Sequence, residues 1–225
     1  MTTATGIAQR LSEVRARVAA ACEREGRNPS EVTIVGVSKT QPAEAVAEAV
    51  AAGLIDLGEN RAQELLPKAE AAEALGVRPR WHFIGHLQRN KVRDVLPHIA
   101  VLHSLDSERL AEEIERRATR PLVCYVEINV ATEASKEGVA PSGLSRLLSF
   151  ARSCENVQVA GLMTVAPQAA DPEDVRPVFR TLRALAREHG LAGLSMGMTE
   201  DYPVAIEEGA TVVRIGRAIF GARRE

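Results

Sequence analysis

Aromatic residues are scarce in this chain of 225 residues, since one Trp, two Tyr and four Phe make up only 3% of it. Neither sign of charge dominates, because 28 basic and 30 acidic residues leave a formal net charge of −2. General nucleic-acid-binding proteins need a positive field and aromatic side chains on which bases stack, so that class is disfavoured. Hydrophobic residues still form 45% of the chain, which excludes a disordered protein.

Cysteines and long hydrophobic runs are also lacking. The three cysteines (Cys22, Cys124 and Cys154) are odd in number and widely spaced, without a Cys-x-x-Cys pair. That pattern disfavours a disulfide framework or a structural zinc site and favours a reducing cytoplasm. Residues 1–4 lack the basic and apolar regions of a secretory signal. No run approaches the roughly 18 uncharged apolar residues that a bilayer-spanning helix needs. We therefore predict a soluble cytoplasmic protein that binds no membrane.

The rest of the chain alternates short apolar runs with amphipathic stretches. Ile7, Leu11, Val14 and Val18 recur at steps of three and four, which predicts a helix within residues 1–28. The predicted strands are 33–38, 54–58, 81–85, 100–105, 122–130, 157–165, 194–196 and 211–215. Predicted helices between them are 42–52, 61–75, 107–118, 142–153 and 174–188.

Eight strands alternating with helices predict a parallel sheet, because each crossover returns the chain to the same end. An open doubly wound sheet and a closed (β/α)8 TIM barrel both satisfy this pattern. Units of roughly 28 residues suit closure, since such barrels begin at about 200 residues. No Gly-x-Gly-x-x-Gly follows the first strand, which weakens the dinucleotide-binding alternative. We favour a single α/β domain over residues 1–225: one barrel, with helix 1–28 packed on it.

In such a barrel the functional residues gather at the C-terminal ends of the strands. Lys39 closes the first strand, and its side chain is predicted to lie on the same face as those of Thr33, Val35 and Val37, because they are alternate residues. If those valines face the interior, the amine lies at the upper rim among apolar walls, where burial and the nearby Arg214 would lower its pKa. A neutral amine is what imine formation with an aldehyde requires. The alternative is a lysine that extends to solvent.

Small and hydroxyl-bearing residues follow the seventh and eighth strands, in segment 195–199 and at Gly216. Barrels often bind a phosphate there, with backbone N–H groups and a short helix that residues 217–221 would form. Ordinary turn chemistry is the alternative. A lysine and a phosphate site together indicate a phosphorylated aldehyde, either pyridoxal 5′-phosphate (PLP) or the substrate of a sugar-phosphate aldolase.

Other motifs in the sequence give weaker evidence of function. His82 and His86 are four residues apart on a strand, without a Glu-x-x-His pattern, which disfavours zinc. Neither a Gly-x-Ser-x-Gly elbow nor a phosphate loop ending in Gly-Lys-Ser/Thr occurs. A basic stretch is interpreted as a solvated face; it comprises Arg78, Arg80, Arg89, Lys91 and Arg93.

Blocks along most of the chain resemble the pyridoxal phosphate homeostasis proteins. They are VSKT at 37–40, GEN at 58–60, WHFIGHLQ at 81–88, NK at 90–91, SK at 135–136, GLM at 161–163, SMGM at 195–198, VRIG at 213–216 and AIFG at 218–221. The resemblance implies a single barrel like the N-terminal domain of alanine racemase, a fold-type III PLP protein. It also implies that PLP is held as a covalent aldimine, a Schiff base, on Lys39.

The resemblance further implies roles for the other site residues. Arg214 would face the pyridine nitrogen. Asn60 would lie near the ring hydroxyl and His86 near the open mouth. The phosphate loop would comprise Ser195, Met196, Gly197, Gly216 and the backbone of Arg217. Two positions depart from the family pattern. Many relatives have Thr in place of Arg217, and the Ser-Asp-Asp that often follows Met-Gly-Met is Thr199-Glu200-Asp201 here.

The chemistry of Arg214 separates the remaining alternatives. A guanidinium is only a donor, so it cannot protonate the pyridine nitrogen in the usual way, and the ring is then a weak electron sink. A racemase adds a tyrosine from a second domain, whereas this chain has only Tyr125 and Tyr202. The hypothesis is a monomeric PLP carrier or regulator that supplies PLP-dependent apoenzymes, with little or no catalysis. The alternatives are an amino-acid racemase-like enzyme and a PLP-independent Schiff-base aldolase.

Overall fold

The computed structural model describes residues 6–130 and 137–221, so the SK block at 135–136 lies outside the described residues. Eight parallel strands form a closed barrel in chain order, and the last strand pairs with the first. The strands are β1 Thr33–Val37, β2 Asp56–Glu59, β3 Arg80–Phe83, β4 Ile99–Leu105, β5 Leu122–Glu127, β6 Val157–Met163, β7 Gly193–Ser195 and β8 Val212–Ile215. The predicted (β/α)8 barrel is confirmed, and the open sheet is excluded.

Helices cover the outside of this barrel. They are α1 Ile7–Arg24, α2 Ala43–Ala51, α3 Ala62–Ala74, α4 Val92–Val95, α5 Glu108–Arg117, α6 Leu144–Ser153, α7 Arg176–Glu188, α8 Tyr202–Glu207 and α9 Arg217–Phe220. The five helices predicted between strands are confirmed to within two residues at each end, and the short helix after β8 is α9. Helices α4 and α8 were not predicted, because four and six residues are too few to show a helical period.

The hydrophobic core has two parts. The larger part lies between the strands and the helices and includes the apolar stripe of α1. The smaller part fills the barrel interior with Val35, Val101, Tyr125, Met163 and Val212. It is small because polar side chains share the interior with it. Cys22 and Cys124 are buried free thiols. In the stretches that the structure describes, no helix combines the length and apolar character needed to cross a membrane.

Helix α1 connects the two ends of the described chain. It packs against α8 and α9, beside the β1–β8 pair that closes the barrel. Arg10 Nε donates to the Ile219 carbonyl oxygen at 2.6 Å. After the helix, Arg27 donates to the carbonyl oxygens of Ile206 and Ala210 at 2.7 and 2.9 Å. The predicted N-terminal helix is thus a structural part of the barrel.

Candidate cofactor site

A cavity of about 810 Å3 opens at the C-terminal ends of the strands, within the size range of small-molecule sites. The loops after β1, β6, β7 and β8 supply most of its wall. Lys39, Arg214, Gly216 and Arg217 line it, so the structure brings four predicted site residues to one space. The described residues that line it do not include the other predicted ones, which are Asn60, His86, Ser195, Met196 and Gly197.

Lys39 lies two residues beyond the end of β1. The predicted parity is confirmed, because Val35 belongs to the interior core and Val37 lines the cavity together with Lys39. The expectation of apolar walls around the amine is wrong, since Lys39 is exposed. The strand ends at Val37, and the chain then turns toward the open mouth. Thr40 makes this turn with φ 64°, and its N–H donates to Glu64 Oε2 at 2.8 Å.

A buried ion pair supports the residue before Lys39. Ser38 Oγ donates to Glu59 Oε1 at 2.6 Å, and Lys68 Nζ donates to the Ser38 carbonyl oxygen at 2.7 Å. Lys68 also donates to Glu59 Oε1, with both side chains buried. Burial raises the pKa of Glu59, although Lys68 and Ser38 oppose this shift. Sequence reasoning missed Lys68, which lies 29 positions after Lys39 on helix α3 and carries no motif.

Arg214 lies on β8 and is buried at the base of the cavity. Its NH1 donates to Ser195 Oγ at 2.6 Å and its NH2 to the Thr164 carbonyl oxygen at 2.9 Å. Burial lowers the pKa of Arg214 to about 10, although the charges of Glu127 and Asp201 oppose this shift. The side chain therefore stays cationic at neutral pH and remains only a donor.

Ser195 connects Arg214 with two histidines inside the barrel. Ser195 Oγ lies 2.7 Å from His103 Nδ1, and His103 Nε2 lies 2.9 Å from His82 Nδ1. His82 Nε2 in turn lies 2.8 Å from Asp56 Oδ1, which also accepts from Arg80. Burial holds the pKa of His103 well below its usual value, and the charge of Arg214 acts in the same direction. Sequence reasoning considered His82 only as a zinc ligand and missed His103.

The turn after β7 is tightly built. Met196 is buried and its N–H donates to the Val212 carbonyl oxygen at 3.1 Å. Gly197 has φ 91°, and a Cβ there would lie 2.6 Å from Ala205 Cβ. Its carbonyl oxygen accepts from the Arg214 N–H at 3.0 Å. Glycine is therefore required at 197, and this turn holds the backbone of Arg214 in place.

The segment after β8 forms the turn that the sequence predicts. Gly216 precedes α9, and both Gly216 and Arg217 line the cavity. Arg217 NH2 lies 2.7 Å from Glu200 Oε1, and both side chains are exposed. Arg217 thus places a cation, paired with Glu200, beside the cavity.

Asn60 and His86 lie at the ends of the neighbouring strands β2 and β3. Asn60 is half-buried, and its Oδ1 has no hydrogen-bond partner among the described residues. His86 is exposed, with Nδ1 3.1 Å from Asp106 Oδ2. Their predicted contacts with a cofactor stay predictions.

Glu127 is a buried carboxyl whose charge acts on Arg214, and sequence reasoning did not single it out. It ends β5, two positions after the interior Tyr125, and is buried. Burial and the nearby Glu137 raise the pKa of Glu127 to about 7; Arg214 opposes this shift and Asp106 adds to it. Strand parity from Tyr125 is the signal that could have placed it at the inner rim.

Glu127→Gln should stabilise the protein above neutral pH. A carboxyl whose folded pKa lies above its unfolded value contributes stability below the unfolded pKa, and this contribution is lost as pH rises through the folded pKa. A shift from 4.5 to about 7 corresponds to about 3 kcal/mol. We expect urea unfolding to show the variant more stable than wild type by up to that amount at pH 8, with the difference vanishing near pH 4.5. Glu70→Gln, at an exposed position of α3, is the control, and equal pH profiles for wild type and Glu127→Gln would contradict the prediction.

The barrel and its site define a class of protein, the alanine racemase N-terminal domain, whose family model matches residues 10–224. The barrel of the alanine racemase from Corynebacterium glutamicum superposes with a TM-score of 0.68 at 16% identity. The superposition covers 93% of this chain and 60% of that enzyme. At this identity the similarity shows only that the two proteins share a fold.

Closer relatives narrow the class. The pyridoxal phosphate homeostasis protein of Aquifex aeolicus is 46% identical, over 96% of this chain and 98% of its own. That of Pseudomonas aeruginosa is 42% identical, over 96% of both chains. PipY of Synechococcus elongatus, solved with PLP bound, is 34% identical with a TM-score of 0.83 and covers 96% of this chain and 100% of its own. The chain belongs to the family of pyridoxal phosphate homeostasis proteins.

Proposed function

We propose that this protein binds PLP covalently through Lys39 and serves PLP (vitamin B6) homeostasis and supply, with little or no catalysis. The observation that carries the proposal is the cavity itself, whose wall combines the amine of Lys39, the guanidinium of Arg214 and the turn at Gly216 and Arg217. The names of the relatives and the PLP bound in PipY support the same ligand.

The residues present fit PLP by their chemistry. An exposed primary amine suits an imine with the aldehyde. Donors at a turn before a short helix suit a phosphate, and the cation of Arg217 lies on the same wall. We assign the phosphate to Gly216 and Arg217 with the Ser195–Met196–Gly197 turn behind them. Asn60 is assigned to the ring hydroxyl and His86 to the mouth.

Weak catalysis follows from the groups around the cavity. When bound, PLP supplies an aldehyde and an electron-withdrawing ring. Arg214 has only N–H donors to offer a ring nitrogen, so it binds the ring without protonating it. Both tyrosines of the chain are buried away from the cavity wall, Tyr125 against His103 and Tyr202 beneath Arg17. Neither is placed to move a proton to or from a ligand.

The cellular side of the proposal comes from the sequence and the relatives. We propose a monomeric, single-domain protein of the cytoplasm, with PLP as its ligand and PLP-dependent apoenzymes as the recipients of that PLP. We propose no nucleic-acid partner, because the net charge is −2 and only 3% of the residues are aromatic.

Reduction by borohydride tests the proposal sharply, because the chain contains only four lysines: Lys39, Lys68, Lys91 and Lys136. Purified protein mixed with PLP is expected to be yellow, with an imine band that borohydride removes. Peptide mapping should then find the added PLP mass on Lys39. Lys68 is an internal reference, because its amine is buried in the pair with Glu59.

Three outcomes would contradict the proposal in different ways. A colourless protein that takes up no PLP would exclude the ligand. An adduct with the mass of a sugar phosphate would identify an aldolase. Rapid exchange of an amino acid's α-hydrogen in heavy water would support the racemase-like alternative.

A further inference from the structure

A continuous line of hydrogen-bonded side chains crosses the barrel interior from Arg214 to Asp56. Arg214 and Ser195 lie toward the C-terminal ends of β8 and β7, while Asp56 and Arg80 begin β2 and β3 at the opposite end. We propose that His103, His82 and Asp56 are positioning residues, which hold Ser195 as an acceptor and thereby fix the Arg214 guanidinium in the site. The proposal rests on the proposed function for its effect on PLP.

The donor-to-acceptor direction along this line of hydrogen bonds follows from the groups at its two ends. Arg214 can only donate, so Ser195 Oγ accepts from it. Ser195 is fully buried, and its proton has one partner left among the described residues, His103 Nδ1. A buried hydroxyl without an acceptor costs about 1–3 kcal/mol. His103 therefore carries its proton on Nε2.

The hydrogen bonds from His103 to Asp56 agree with this assignment of the His103 proton. His103 Nε2–H donates to His82 Nδ1, which leaves the His82 proton on Nε2 to donate to Asp56. Asp56 is an acceptor because, although burial opposes ionisation, hydrogen bonds from His82 and Arg80 lower its pKa. Every donor then meets one acceptor with both histidines neutral. The reverse direction needs a cationic His82 between the cations of Arg80 and Arg214.

This line of hydrogen bonds limits which groups can contact the phosphate of the ligand. Ser195 has a single proton, and donation to His103 leaves none for a phosphate. In this arrangement the Ser195 hydroxyl serves Arg214, and any phosphate contact at this turn comes from backbone N–H groups. Tyr125 stacks on His103 with ring centroids 4.9 Å apart, which fixes the imidazole plane. Glu127 and Asp201 are the acidic groups whose charges reach Arg214.

The first experiment uses the protein without added PLP, so it does not depend on the proposed function. The chain has five histidines, few enough for nitrogen-15 NMR to assign their ring protonation. At neutral pH we expect both His103 and His82 to carry their ring proton on Nε2. A His103 with Nδ1–H, or a doubly protonated His82, would overturn the proposal.

Two amide substitutions separate the contacts of His103. Asn places an acceptor near the Nδ1 position and restores the contact with Ser195, whereas Gln reaches the Nε2 position and keeps only the contact with His82. We expect the Arg214 N–H signals to stay close to wild type in His103→Asn and to shift in His103→Gln. In protein loaded with PLP, His103→Gln should release PLP about tenfold faster and move the absorption band, and His103→Asn should not.

His98→Asn is the control for the loss of a histidine. His98 lies at the N-terminal end of β4 and is not part of the line of hydrogen bonds from Arg214 to Asp56. Equal Arg214 signals in the Asn and Gln variants would overturn the positioning role, whether or not PLP binds. If wild type takes up no PLP while the NMR results hold, the proposed function fails and the positioning of Arg214 stands.

Discussion

Protein carrying Lys39→Ala is expected to remain folded but to lose the imine band with PLP and the borohydride adduct at residue 39. The side chain is exposed and ends no strand, so the free energy of unfolding should change by less than about 0.5 kcal/mol. Loss of the covalent bond leaves only the phosphate and ring contacts. We expect the Kd for PLP to rise by roughly 100-fold, or about 2.8 kcal/mol, in equilibrium dialysis.

Lys39→Arg separates charge from covalency. Arginine keeps a cation at the cavity wall but forms no stable imine, so its affinity for PLP should lie between those of wild type and Lys39→Ala, without the absorption band. Lys91→Ala removes a lysine elsewhere and should leave the band unchanged. An unchanged band in Lys39→Ala, with the adduct found on another lysine, would refute the assignment.

Lys68→Met is expected to destabilise the protein by about 3–5 kcal/mol, because it leaves Glu59 buried without a cation. The substitution also removes the donor to the Ser38 carbonyl oxygen, next to Lys39. The pKa of Glu59 is already raised by burial and should rise further. Stability from a carboxyl with a raised pKa is lost as pH increases. Urea unfolding should therefore show a larger deficit at pH 8 than at pH 5.

A double-mutant cycle checks this explanation. Lys68→Met combined with Glu59→Gln removes the uncompensated charge, so the pair should lose less stability than the sum of the single variants. Arg78→Met, which breaks an exposed pair with Glu73, should cost less than about 1 kcal/mol. Additive losses at 59 and 68 would show that the two groups act separately.

The sequence predicted the strands well because each is a short apolar run bounded by Gly, Pro or polar residues. The first strand was predicted at 33–38 and lies at Thr33–Val37. Period and spacing also placed Lys39, Arg214, Gly216 and Arg217 at the C-terminal ends, where closure brings them to one cavity. These predictions needed only local pattern and the rule that parallel strands share their ends.

The partners across the barrel were out of reach of such reasoning. His82 and His103 lie on the paired strands β3 and β4, whose register shifts between Trp81 and His82. Lys68 reaches Glu59 from the outer helix layer, at a distance that no motif marks. The exposure of Lys39 was misjudged because the strand ends at Val37, one residue earlier than predicted, and the chain then turns toward the open mouth. Each depends on three-dimensional closure.

The packing of α1 against α8 and α9 has a consequence for synthesis on the ribosome. Strand β8 carries Arg214 and pairs with β1, whereas Lys39 follows β1 directly. A nascent chain that has produced Lys39 still lacks the strand that closes the barrel and the helix on which α1 packs. The amine is thus made some 175 residues before the guanidinium that shares its cavity. A cavity that combines the two groups can therefore form only after β8 has been made and has paired with β1.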